Sequence, residues 1–381
     1  MTNPGARYPI AAVRERVRQH GRPVLDFVLG KHREAMPDDV ARLLQAADPG
    51  RLATSCDRGQ IQDFASAASA MLRRVYGVDV DTTSILPVPG GRTAISLLAS
   101  TLIRPNDSVI VFDPAYPAFT RIAQQIGARI HTVPLDPDRD LAPDLGALPT
   151  GGAASARFAA LNYPNNPTGT IIDSENLREF FELLPAEAVV FNDATYGPLT
   201  FSGPPWSMLA QDGATRNGHK LLELHSLAKI FSLGPVPVSF LAGHPALIAV
   251  LRDYSEFAWS DQSRLLIDVA VSCLRNHEHL DAARTVFRAR IRRLESTLTA
   301  LGFEILPSHS GMYIVCRVPS AIGGRPVSGA GAAAEILLEE YNLAVVPWEV
   351  VPHEYLRFSG QFSEEDLQGL AALGRSGPLV T

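Results

Sequence analysis

Cysteine is scarce in this chain. The 381 residues hold three, Cys56, Cys273 and Cys316, far apart and odd in number. That count and spacing leave out both a disulfide framework and a metal knuckle. Long apolar runs are missing as well. No stretch approaches the ~20 apolar residues of a membrane span, and Met1 to Arg14 has no apolar core of signal-peptide type. Neither sign of charge dominates: the net charge is −6, with acidic and basic residues mixed along the chain. Nothing resembles a nucleic-acid footprint or a polybasic membrane anchor. A reducing cytoplasm is the simplest location for such a protein, and no repeat of fixed period is present. What remains is a chain 46% hydrophobic and 19% charged, long enough for a large core and a second, smaller unit.

Short apolar runs alternate with longer helical patterns through the middle. Val109-Ile110-Val111-Phe112, Arg157-Phe158-Ala159-Ala160-Leu161, Ala188-Val189-Val190-Phe191 and Leu221-Leu222-Glu223-Leu224 each have strand length and stop at polar residues. Between them Thr93 to Leu102, Ala118 to Ile126 and Ser174 to Leu183 read as helices. The alternation predicts an α/β fold with a mostly parallel sheet, whose ligand lies beyond the carboxyl ends of the strands. Past about residue 285 the texture changes. Thr285 to Leu301 reads as an amphipathic helix, Ala332 to Glu340 as another. Phe303 to Leu306, Met312 to Cys316 and Leu343 to Val346 read as strands. We expect a large unit over 45–285 and a smaller α+β unit built from 1–44 and 286–381.

Polar blocks stand at the ends of those runs. They are Asn162-Tyr163-Pro164-Asn165-Asn166-Pro167-Thr168-Gly169, then Phe191-Asn192-Asp193-Ala194-Thr195-Tyr196, then His225-Ser226-Leu227-Ala228-Lys229. Together they supply an amide, a carboxylate, a phenol and an amine. A pyridine-aldehyde cofactor needs that set: an amine for the Schiff base, an acid for the ring nitrogen, donors for the phenolate oxygen. Each piece alone has an ordinary reading. Asn-Pro-Thr-Gly favours turns, Asp193 would serve as a helix cap, and Lys229 and Arg357 would serve as surface charges.

In this order and spacing the blocks resemble the class I/II aminotransferases, fold-type I enzymes dependent on pyridoxal 5'-phosphate. The resemblance runs from about Val24 to Leu370. It implies a seven-stranded, mostly parallel sheet between helices in the large domain. It also implies that Asn166 and Tyr196 bond the cofactor's phenolic oxygen, that Asp193 pairs with the pyridinium nitrogen and that Lys229 carries the Schiff base and moves the α-proton. Tyr116, in Asp113-Pro114-Ala115-Tyr116-Pro117, would stack on the ring. Gly91, Arg92 and Thr93, in a glycine-rich turn before a helix, and Ser226 would hold the phosphate. Arg357, in Tyr355-Leu356-Arg357-Phe358-Ser359, would grip the substrate carboxylate with its planar fork. A homodimer with shared active sites is implied too.

Two departures stand out. The family's phosphate-binding arginine falls eight residues after the lysine, and here that position is Pro237. A tyrosine that relatives carry shortly before a glycine matching Gly59 is replaced by Thr54 and Ser55. Arg92 is the candidate for the missing positive charge. The resemblance implies first an aminotransferase, exchanging an amino group between an amino acid and a 2-oxo acid through an aldimine and a quinonoid. The alternative is a non-transaminating enzyme of a specialised pathway: elimination or replacement at Cβ or Cγ, carbon–carbon bond formation with S-adenosylmethionine, or oxidation. Lys31, His32 or Arg33, in a charged loop, would meet an acidic or phosphorylated side group. A DNA-binding regulator built on the same domain is a third possibility, but only about two dozen residues precede the match.

Overall fold

The computed structural model describes residues 9–28, 34–47, 50, 53–149, 151–211, 218–234, 236–259, 262–349, 353–375 and 377–381. The four expected strands are present, with ends shifted by one or two residues: Ser108–Asp113, Ala156–Leu161, Val189–Asp193 and Lys220–Ser226. They lie side by side and parallel. Helices cover both of their faces, so they read as apolar runs rather than as alternation. Arg129–Asp136 continues the sheet in parallel on one side. On the other, Ser239–Gly243 joins antiparallel and is followed by Ile85–Val88. These are the seven strands expected, and a two-residue strand, Ala142–Pro143, adds an eighth at the edge.

Side chains alternate between two packed layers. Ile110, Phe112, Ala159, Leu161, Val190 and Leu221 meet Leu177, Phe180 and Phe181 of helix Ser174–Leu183. Val109, Val111, Phe158, Ala160, Phe191, Leu222 and Leu224 meet helices Gly91–Leu102 and Pro245–Ala258. The same parity continues past the apolar residues. Asn192 and Glu223 are register partners on the first face, and Asp193 and Ser226 turn to the second.

Near the C-terminus, helix His277–Ala300 starts earlier than Thr285, because the side chain of Asn276 caps it by accepting from the His279 N–H. The expected strand Phe303 to Leu306 is not a strand. Only Ile305 bridges Cys316, and Pro307, which has no N–H, ends the pairing. Tyr313–Arg317 pairs antiparallel with Glu354–Ser359, which pairs in turn with Val346–Glu349. Leu25–Asp26 runs parallel to Leu343–Ala344, so the N-terminal segment is stitched into the C-terminal one. Helix Asp38–Gln45 packs instead on Arg264–Arg275. No described helix is long and apolar enough to cross a membrane, and no group of His, Cys, Asp or Glu among the described residues is arranged to hold a metal ion.

Candidate active site

A cavity of about 330 Å³ opens where the parallel strands end. Strand ends are where α/β sheets place their ligands. Gly91, Arg92 and Thr93 line it from a helix start, and Tyr116 and Asn166 from two loops. Asp193, Tyr196, Ser226 and Lys229 line it from the last two parallel strands and the turns after them. Every residue expected on the cofactor side is therefore in one place. Lys31, His32 and Arg33 lie outside the described residues.

One amide ties three of these segments together. Asn162 Oδ1 accepts from the N–H of Tyr116 at 3.2 Å and of Asn166 at 3.1 Å, while its Nδ2 donates to the Asp193 carbonyl at 3.0 Å. On the opposite face Asn192 does similar work. Its Oδ1 accepts from Tyr163 N–H at 2.8 Å, and its Nδ2 donates to the Tyr163 carbonyl and to Glu223, each at 2.8 Å. The Asn165–Thr170 loop closes on itself, with Asn165 Oδ1 accepting from Thr168 N–H and hydroxyl. Gly169 has φ +74°, and a Cβ there would stand 2.3 Å from Ser308 Oγ and 2.7 Å from the Ser310 carbonyl. Only glycine fits both constraints.

Asp193 is 8% exposed. Burial raises its carboxyl above the ordinary range, against the lowering effects of the Thr195 hydroxyl, the Thr195 N–H and His225. Both Thr195 bonds fall on Oδ1, at 2.6 and 3.1 Å. Among the described residues no hydrogen bond falls on Oδ2. A buried carboxylate with an oxygen to spare is a seat for a cation. Lys229 is half-buried, with no carboxylate paired to it among the described residues. The Tyr196 phenol is buried and raised well above its ordinary value by that burial.

The phosphate end has its own logic. Gly90 takes φ +94° and starts helix Gly91–Leu102, which has no side-chain cap. The first N–H groups of that helix have no intrahelical acceptor and face an anion's position. Pro237 packs on the turn: a Cβ on Gly90 would meet Pro237 Cβ at 3.3 Å. Arg92 lies in the same cavity wall as Pro237 and donates from Nε to the Tyr116 hydroxyl at 2.9 Å.

Arg357 is not on the cavity wall. It is fully buried. Nη2 donates to the Val28 carbonyl at 3.0 Å and Nη1 reaches Asn166 Oδ1 at 3.5 Å, while Nε has no acceptor among the described residues. No carboxylate pairs with it among the described residues. The ring of Tyr313 lies against its guanidinium, 4.1 Å from Cζ to ring centroid.

A family profile, aminotransferase class I and II, matches residues 24–372. The chain belongs to that family. Among curated relatives, the LL-diaminopimelate aminotransferase of Methanocaldococcus jannaschii is 27% identical over 350 residues, 91% of this chain and 82% of that one. The probable N-succinyldiaminopimelate aminotransferase DapC of Mycobacterium tuberculosis is 30% identical over 285 residues, 74% of this chain and 70% of that one. The fold matches the solved N-succinyldiaminopimelate aminotransferase of M. tuberculosis with TM-score 0.85 at 23% identity, covering 97% of each chain. Substrate-bound BacF from Bacillus subtilis matches with TM-score 0.84 at 20% identity, covering 98% and 97%. This aminotransferase is thus an amino-group-transferring enzyme that uses pyridoxal 5'-phosphate.

The residues present fit that cofactor. The spare oxygen of buried Asp193 suits a pyridinium N–H, the helix start with Arg92 suits a phosphate, and Lys229 offers an amine with no carboxylate partner among the described residues. Sequence reasoning named no role for Asn162, although its place at a strand end was the available signal. It missed Tyr313 altogether. Nothing in the sequence reports that Tyr313 opens the strand hydrogen-bonded to the one carrying Arg357.

Proposed function

We propose that this aminotransferase takes an α-amino acid whose carboxylate is held by Arg357 and passes its amino group to a 2-oxo acid. The reading rests chiefly on one observation: a buried carboxylate, a phenol and a lysine line the same cavity, beside a buried arginine, and neither the lysine nor the arginine has a carboxylate partner among the described residues. Bound pyridoxal phosphate supplies an aldehyde for the amine and a ring that accepts electrons freed at Cα. Lys229 Nζ attaches the cofactor and later takes the proton from Cα. Asp193 Oδ2 keeps a proton on the ring nitrogen. Asn166 and Tyr196 hold the phenolic oxygen, and Tyr116 covers the ring. Ser226, Gly91, Thr93 and Arg92 hold the phosphate. The division into a large unit over 45–285 and a small one from 1–44 and 286–381 belongs to the same reading, supported by the pairing of Leu25–Asp26 with Leu343–Ala344, while helix Asp38–Gln45, which packs on Arg264–Arg275, goes with the large unit.

Arg92 stands in for the arginine that Pro237 replaces. Arg92→Ala should weaken cofactor binding by roughly 10- to 100-fold, the value of a charge-assisted hydrogen bond. Titration of the cofactor-free protein measures it, and a wild-type dissociation constant in the variant would remove Arg92 from the phosphate site.

For the donor, a neighbouring cleft of about 810 Å³ shares the Asp113–Pro117 segment. Arg16, Arg22 and Arg121 line it, and so do Asp113, Glu335 and Glu339. Groups of both signs suit a side chain that ends in charges of both signs, as does the diaminopimelate named for several relatives. Helix Pro245–Ala258 exposes Val250, Tyr254 and Phe257 along one face, an apolar stripe that supports a homodimer. A cytoplasmic location goes with the reading, since no disulfide joins Cys56, Cys273 or Cys316 among the described residues.

The test uses the holoenzyme, first checked by light scattering for the mass of two chains. LL-diaminopimelate, glutamine and other amino acids are then added singly without any 2-oxo acid. The expected result is one equivalent of 2-oxo acid per site, with conversion of the cofactor to its aminated form. Ammonia release, or loss of a side-chain group without amination, would overturn transamination of that donor.

A further inference from the structure

Tyr116 makes a hydrogen bond that covering a ring does not require. Its hydroxyl accepts from Nε of Arg92 at 2.9 Å. One residue sits in a loop and the other at a helix start, and both line the cavity. Stacking uses the face of an aromatic ring, so a phenylalanine would cover the cofactor equally well. Only the hydroxyl needs tyrosine.

The two ends of this bond differ in freedom. The loop that carries Tyr116 is tied down at two points. Asn165 Nδ2 donates to the Pro114 carbonyl at 2.9 Å, and the Tyr116 N–H donates to Asn162 Oδ1 at 3.2 Å. With its backbone held and few side-chain torsions, Tyr116 presents its hydroxyl as a fixed post. Arg92 is exposed and is the second residue of helix Gly91–Leu102. Helical side chains lean toward the start of their helix, which here carries the N–H groups that suit a phosphate. A long side chain on an exposed turn has many rotamers, and holding one of them costs entropy. The bond at Nε selects one. Because a guanidinium is planar, it also sets the plane in which the four N–H groups on the Nη atoms lie. Pro237, in the same wall, brings no charge of its own.

We propose that Tyr116 is a positioning residue for the cofactor's phosphate: its hydroxyl holds Arg92 with the Nη groups turned to the anion at the helix start. This rests on the reading that Arg92 holds the phosphate. One tyrosine then serves both ends of the cofactor, its ring on the pyridine and its hydroxyl on the cation that meets the phosphate.

The experiment measures binding to the cofactor-free protein rather than turnover. Two probes are titrated: pyridoxal 5'-phosphate, and pyridoxal, which keeps the ring and the aldehyde but has no phosphate. Wild type is compared with Tyr116→Phe, Arg92→Ala and the double variant, each checked for fold by circular dichroism. Tyr116→Phe should weaken pyridoxal phosphate by about 3- to 10-fold, the share of one hydrogen bond, and leave pyridoxal unchanged. Arg92→Ala should weaken pyridoxal phosphate further, and Tyr116→Phe should add nothing once Arg92 is gone. A loss in Arg92→Ala with none, or with tighter binding, in Tyr116→Phe overturns the proposal and leaves Arg92 on the phosphate. No loss in Arg92→Ala overturns that reading and the proposal together. Equal weakening of both probes by Tyr116→Phe overturns it, since the hydroxyl would then serve the ring. Additive losses also overturn it, since they would mean that the hydroxyl acts without Arg92.

Discussion

Lys229→Ala is expected to lower kcat by roughly 10⁴-fold or more while leaving the fold intact. Two tasks fall on this one amine. On the proposed reading it would attach the cofactor and move the proton at Cα, a role that contributes up to about 10⁴-fold in general acid–base catalysis. Its removal should cost little stability. Lys229 is half-buried and has no carboxylate partner among the described residues, so no charge is orphaned and the melting temperature should stay within the range of an ordinary surface change. Borohydride reduction gives an independent check. In wild type it should fix the cofactor to a single peptide containing Lys229, and in the variant it should fix none. Retained turnover, or cofactor fixed to a different lysine, would move the chemistry elsewhere.

The second large effect is at Asp193. Asparagine keeps the shape and an acceptor for the Thr195 hydroxyl but removes the charge that, on the proposed reading, would hold a proton on the cofactor ring. Breaking a buried ion pair costs about 3–5 kcal/mol, so kcat/KM should fall by roughly 10²- to 10³-fold or more. A stability measurement separates this role from a structural one. Burial lifts the Asp193 carboxyl above the ~3.9 of an unfolded chain. The folded, cofactor-free protein therefore keeps this proton at pH values where the unfolded chain has lost it. The resulting stabilisation is complete below the unfolded pKa and is lost as pH rises through the raised one. Cofactor-free Asp193→Asn should lack that slope, and cofactor binding should flatten it in wild type by placing a cation beside the carboxylate. Parallel melting profiles for wild type and variant would show that Asp193 carries no such proton.

Much of this is legible in the sequence. The parallel strands announced themselves because a layer buried on both faces needs uninterrupted apolar residues, as in Val109 to Phe112. Three strands of the same sheet stayed hidden for reasons that are just as physical. Ile85–Val88 contains Pro87 and Arg129–Asp136 contains Pro134, and proline demotes a strand in sequence. Ser239–Gly243 comes after a proline-rich stretch that reads as loop. The cavity residues were legible because each sits at a strand end with chemistry of its own. Tyr313 was not. Its meaning depends on antiparallel pairing with Glu354–Ser359, a register that no local pattern encodes. The enclosure of Arg357 was equally invisible, since its cover comes from three separate segments: Val28, Asn166 and Tyr313.

Asn162 has a consequence for how this enzyme can diverge. The segments that carry Tyr116, Asn166 and Asp193 all hang from its single amide. A drift in any one of them is passed to the other two, so the three behave as a single inherited character and resist piecemeal change. Freedom lies where that amide does not reach: at Pro237, at Arg92, at Tyr313 and at Thr54 and Ser55. Pro237, Thr54 and Ser55 are the positions that the sequence resemblance marks as departures from the family's pattern.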